Sequence, residues 1–177
     1  YIEVMLTSDL GVATAMGDVV ITQSLGDLTI TDQVLSTDGA VTITADKNLH
    51  MASASSLTAR DGVNLTAEDG DLGLTSVTVT GSGTKTAISS FEATGDILDV
   101  NPWVDGPSLS SVDGWNINAK GILSLSANNI GQSGERLNVR SDNLSSISAE
   151  GQVYLAASGI GSGQVKLAAV SATSGLF

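Results

Sequence analysis

Four carboxylates, Asp61, Glu68, Asp69 and Asp71, stand close together in the stretch RDGVNLTAEDGDLG. Carboxylate and carbonyl oxygens are the ligands a calcium ion takes. Yet neither a G-G-x-G-x-D repeat nor a D-x-D-x-D-G loop occurs, and EDGDLG only approaches the first. The Asp-Gly pairs read first as turns, in which Asp offers a side-chain acceptor and Gly tolerates positive φ. Ca²⁺ is therefore the one cofactor left open, and no metal ligand is assigned. His50 is the only histidine and the chain has no cysteine. Between Leu49 and Met51 it points away from both if the segment is a strand. A zinc site rich in His is excluded within this segment. A serine nucleophile paired with His50 would want a G-x-S-x-G elbow, which is missing. GIGSGQ, 159 to 164, lacks the Lys-Ser/Thr and helix of a phosphate loop and reads as a turn. No catalytic residue is assigned, and the chain is expected not to be an enzyme.

The stretch NPWVDGPSLSSVDGW, 101 to 115, holds both prolines and both tryptophans. Proline does not suit an interior strand, so a loop is expected over 101–113. One reading has Trp103, with Asp105 or Asp113, and Trp115 offered to a sugar or a partner chain, since exposed aromatics anchor interfaces. In the other, Trp103 and Trp115 fold back over the rest of the chain.

The segments around these residues repeat one phrase. Gly17-Asp18-Val19-Val20-Ile21, Gly26-Asp27-Leu28-Thr29-Ile30 and Gly39-Ala40-Val41-Thr42-Ile43 follow one another. Gly70-Asp71-Leu72 and Gly151-Gln152-Val153-Tyr154-Leu155 say the same later, and Gly114-Trp115-Asn116-Ile117 and Arg136-Leu137-Asn138-Val139 vary it. Each is a strand of alternating sidedness, with Thr, Ser and Asn in the outward places. Helical periodicity is nearly missing, so the chain is all-β. Gly17 to Gly39 is 22 residues and Gly39 to Gly62 is 23. That longer period separates a solenoid from hairpin-connected sandwiches, the competing architecture. In a solenoid each strand stacks on its equivalent one coil below, and apolar side chains form interior ladders. Coils of about 22 residues predict roughly eight of them. At the ~4.8 Å strand spacing that is a rod of about 40 Å.

Composition fits such a rod. Aromatics are only 3% of the 177 residues, too few for a core of large rings. A net charge of −12 argues against nucleic-acid partners. No apolar run is long enough for a membrane-spanning helix. The first residue is Tyr1 and no signal peptide is visible, so such a peptide is absent, removed or far upstream.

The run GDVVITQSLGDLTITDQVLSTDGAVTITADKNLHMASASSLTARDGVNLTAEDGDLGLT, residues 17 to 75, resembles the haemagglutinin-type repeats of filamentous-haemagglutinin-like bacterial surface proteins, and the likeness returns over 114 to 170. The resemblance implies a right-handed parallel β-helix from a long secreted or cell-surface adhesin. The expected organisation is solenoid coils over 1–100, an excursion over 101–113 and further coils over 114–177, as a piece of a longer rod. The implied function is structural or adhesive. A stiff rod would display loops or pack into a filament or envelope layer, with other chains or cell-surface glycans as partners. Parallel β-helices also include polysaccharide lyases and hydrolases, in which a basic residue takes a proton beside a sugar carboxylate. Arg136 and Arg140 would share one side of a continuing strand, but no Lys or Asp cluster accompanies them, and the acidic chain disfavours a polyanionic substrate.

Overall fold

A strand that is apolar at every second position buries one side and wets the other, so it needs partners that repeat its phase. The computed structural model describes residues 2–5, 9–82, 85–100, 114–160, 165–173 and 175–176. All strand pairings there are parallel. The chain is a β-solenoid of about seven turns of ~22 residues with almost no helix. No helix among the described residues is long and apolar enough to cross a membrane.

Each coil visits three faces in turn. The first face stacks Ile2–Met5, Val19–Gln23, Ala40–Ala45, Gly62–Ala67 and Ile88–Ala93. It continues with the second halves of Ile117–Ala127 and Leu137–Ala149, then Lys166–Leu167 and Val170–Ala172. The second face stacks Asp9–Leu10, Leu28–Ile30, Leu49–Met51, Leu72–Leu74 and Ile97–Asp99, extended by bridges through Ile130 to Gln152–Val153. The third stacks Ala13–Ala15, Gln33–Ser36, Ser56–Ala59 and Val77–Val79 under the first halves of the two long strands, and ends on Leu155–Ser158.

The interior consists of ladders. Ile21, Ile43, Leu65, Phe91, Leu125 and Ile147 lie one above another on the first face, each at most 3% exposed. Leu28, Leu49, Leu72, Ile97, Ile130 and Val153 do the same on the second, all at 0%. Each coil covers the apolar side chains of the coil beneath, and a small residue set suffices because no side chain must reach across a wide globule.

The expected eight coils are about seven. The regular step from Val41 to Val63 gives way to longer ones, from Leu65 to Phe91 and from Phe91 to Leu125. The first long step contains Thr80 to Ala87 and the second contains 101–113, which lies outside the described residues. Register nevertheless survives both. Ile97–Asp99 pairs with Leu72–Leu74 before that span, and Ile117 with Val77 after it.

Candidate functional site

Two of the carboxylates that were candidates for calcium, Asp61 and Asp71, are engaged within the chain, while Glu68 and Asp69 are exposed on their turn. At the corner between first and second faces, Asp27 Oδ1 accepts hydrogen bonds from the backbone N–H of Asn48 at 3.1 Å and from its side-chain amide at 2.9 Å. Asn48 Oδ1 accepts from the Asp71 N–H at 2.8 Å, and Asp71 Oδ1 from the Asp96 N–H at 2.8 Å. Asp96 Oδ1 takes the Asn129 N–H at 3.0 Å and its Nδ2 at 2.8 Å; Asn129 Oδ1 takes the Gln152 N–H at 2.8 Å. A column of Asx side chains thus caps the backbone of each next coil, satisfying donors that the sharp corner leaves without a strand partner.

The column also explains the repeated glycine. A Cβ on Gly70, Gly95 or Gly151 would collide with the side-chain oxygen of Asn48, Asp71 or Asn129 respectively, one coil below. In the phrase Gly-Asp-Leu, glycine makes room for the acceptor beneath, Asp is the acceptor for the coil above, and Leu enters the core. Among the described residues no group of three or more His, Cys, Asp or Glu is placed to hold a metal ion.

Of the three proposed contact residues, Trp103 and Asp105 lie outside the described residues. Trp115 is 6% exposed and belongs to the covered part of its coil, so it is not itself a presented anchor. Beside it the sequence reading needs correction: Asn116 and Asn138, taken as outward polar positions, are buried at 0% and 8% exposed. Asn116 Nδ2 donates to Asp99 Oδ1 at 2.7 Å and to the Leu74 carbonyl at 3.1 Å, and its Oδ1 accepts the Asn138 N–H at 2.8 Å. Asp99 and Asn116 flank the span 101–113, and this contact clasps its two ends to each other and to the coils on either side. Asn116→Ala is expected to cost about 2–3 kcal/mol, because the Asn138 N–H is left buried without its acceptor. Urea unfolding measures that loss, and faster proteolysis within 101–113 at unchanged urea would locate it at the clasp.

His50 is half-buried on the second face, its Nδ1 2.6 Å from where a Cβ of Gly73 would stand. Arg136 is exposed and precedes the strand Leu137–Ala149, whereas Arg140 lies within it, so the two do not share a strand side. At the corner between third and first faces a cleft of about 390 Å³ is lined by Lys85 and Lys120 with Thr80, Ser82 and Thr86. Nearby, Arg60 joins Asp38 and, at 3.1 Å, Asp61, which Lys85 approaches at 3.5 Å. The Arg60 hydrogen bond, more than any other influence, holds the Asp61 carboxyl below the usual carboxylate range.

The charges are not evenly spread. Arg60, Lys85, Lys120, Arg140 and Lys166 stand where the chain enters the first face, and these are five of its seven basic residues. Acids stand on both sides of that face, Asp18, Asp38, Asp61 and Asp142 where the chain enters it and Asp46, Glu68, Asp69, Asp71, Asp96 and Glu150 where it leaves. Composition alone could not reveal this bias of the basic residues, since it exists only once the corners are assigned. Compared with family models, curated proteins and solved structures, the chain gives no match.

Proposed function

We propose that the chain is a structural or adhesive segment of a secreted or cell-surface repeat protein, of the filamentous-haemagglutinin-like kind that its repeats resemble. The observation that carries the reading is that parallel strand pairing resumes across 101–113. The ladders Val77 to Ile117 and Phe91 to Leu125 close above the span as below it, and the Asp99–Asn116 clasp fixes both its ends. A scaffold that resumes its parallel stack after an extra segment, with register shifts confined to the pairing of Ile117–Ala127 with Leu137–Ala149, is suited to displaying that segment. Trp103 and Asp105 are then the residues to reach a glycan or another chain.

The test has two parts. Gold-labelled antibody against the chain should decorate fibres or an envelope layer on intact cells that make it. Replacing 101–113 by a glycine-serine linker should leave the far-ultraviolet spectrum intact and abolish binding to the partner surface. Label found only as dispersed protein in the medium would overturn the location, and undiminished binding by the linker variant would overturn the display role.

A further inference from the structure

The cleft between third and first faces lies where one coil takes a detour. After Val77–Val79 the Thr80 N–H donates to the Ala59 carbonyl and the Gly81 N–H to the Arg60 carbonyl, both at 3.0 Å. Gly81 then turns at φ +69°, and Ser82 and Lys85 bridge before Ile88 rejoins the first face. In the coil above, Gly121 stands at φ +99°, where a Cβ would strike the Ala87 carbonyl. The two coils thus meet through glycine beside an open volume of about 390 Å³, within the size range of small-molecule sites. Ala87 is the one apolar side chain of the lining, so an apolar ligand has little to bury against.

The polar groups of the cleft are of two kinds. Thr80 Oγ1 donates to the Ala59 carbonyl at 3.4 Å and Ser82 Oγ to the Lys85 carbonyl at 3.3 Å. Towards the cleft these hydroxyls are left as acceptors, while Lys85 and Lys120 offer only donors and positive charge. Lys120 is exposed and forms no ion pair among the described residues. Lys85 approaches Asp61 at 3.5 Å with its own side chain 71% exposed, and Arg60 holds that carboxylate at 3.1 Å. The other acids of this corner are engaged too: Asp38 pairs with Arg60, and Asp142 accepts the Ile160 N–H at 3.0 Å. Arg60, Lys85, Lys120 and Arg140 against Asp38, Asp61 and Asp142 leave one positive charge over.

A ligand that satisfies both kinds of group donates hydroxyls and carries a negative charge. A bare anion leaves the acceptors idle, and a neutral sugar leaves the ammonium groups without a partner. A polyanion would meet the net charge of −12 of the whole chain. A lone carboxylate between the lysines sits within about 8 Å of them, the screening length at physiological salt. We propose that this cleft binds the terminal, singly carboxylated sugar of an otherwise neutral glycan. Lys85 and Lys120 take the carboxylate, and Thr80, Ser82 and Thr86 take the ring hydroxyls. A glycan as partner rests on the adhesive reading, and the cleft gives it a contact separate from 101–113.

Amide shifts of the intact chain, followed in titrations up to about 10 mM, test the site. The probes are sialyllactose and a methyl glucuronide, with lactose and acetate each supplying half of the ligand. At least one carboxylated sugar should shift the amides of Gly81, Ser82, Lys85, Lys120 and Gly121, and the one that does so identifies the source of the carboxylate. Lactose and acetate should bind about ten-fold more weakly or worse. Lys120→Ala should weaken the sugar about ten-fold at an unchanged urea midpoint, and Lys120→Arg should retain most of it. Lys47→Ala, at the other edge of the first face, should leave binding as it is. The linker variant of 101–113 should bind these sugars as the native chain does, so failure of the cleft and failure of display are told apart. The proposal is overturned by an absence of shifts with both carboxylated sugars, or by lactose or acetate binding as well as they do. Tighter binding of heparin than of either sugar, or equal losses for Lys47→Ala and Lys120→Ala, would overturn it too.

Discussion

Phe91→Ala is expected to lower the unfolding free energy by about 3–5 kcal/mol. Phe91 is fully buried between Leu65 and Leu125, and among the described residues it is the largest side chain wholly inside the stack. It also occupies the coil bounded by both long steps. In a solenoid, stability is close to a sum of coil terms and nearest-neighbour contacts. Hollowing this coil therefore removes contacts to two neighbours and weakens the junction between the lower and upper stacks. Urea unfolding followed by far-ultraviolet dichroism should shift strongly, and fluorescence of the tryptophans should no longer change at the same urea concentration. Phe91→Leu fills most of the space and should cost less than about 1.5 kcal/mol. A loss below roughly 1 kcal/mol for alanine, well short of the range for a buried phenylalanine, would show that the ladder is not packed as described.

The second large effect is expected from a single methyl group. Gly95→Ala places a Cβ against the Asp71 carboxylate oxygen and the Gly70 backbone. Overpacking together with loss of the bond from the Asp96 N–H to Asp71 should cost about 2–4 kcal/mol. Gly11→Ala is the control. Nothing lies within 4 Å of a Cβ there, and the change should stay within about 0.5 kcal/mol. In the Asp71→Ala background the oxygen is gone, so Gly95→Ala should cost less than in the native chain. Additive losses in thermal or chemical unfolding would mean that the glycine and the Asp column are unrelated.

The alternation of strands and the period near 22 residues were legible because both are properties of one coil read along the chain. Properties of the stack were not. Gly-Asp-Leu was visible as a phrase, but the reason for its glycine is an oxygen from the previous coil, which no local pattern displays. Asn116 and Asn138 read as wet positions by their neighbours' alternation, and the clasp with Asp99 buries them instead. The estimate of eight coils assumed equal steps, whereas the steps from Leu65 to Phe91 and from Phe91 to Leu125 are longer. Clustered acids read in one dimension as turn formers, with calcium left open; in three, Asp71 belongs to a hydrogen-bonded column and Glu68 and Asp69 to an exposed edge. The bias of the basic residues to one corner could have been found from sequence only by first marking where each coil enters and leaves a face.

The Asx column also bears on how such a chain can change over generations. From Asp27 to Asn129 each coil offers a side-chain oxygen upward at that corner, and Gly70, Gly95 and Gly151 leave space for the oxygen beneath them. Gain or loss of one whole coil therefore leaves both new neighbours matched, and the copied gene segment arrives already compatible with what it joins. Insertion of a single residue inside a strand does the opposite, turning every later side chain of that strand inside out. Inherited length in a molecule of this kind comes in whole coils, with extra residues tolerated at the corners.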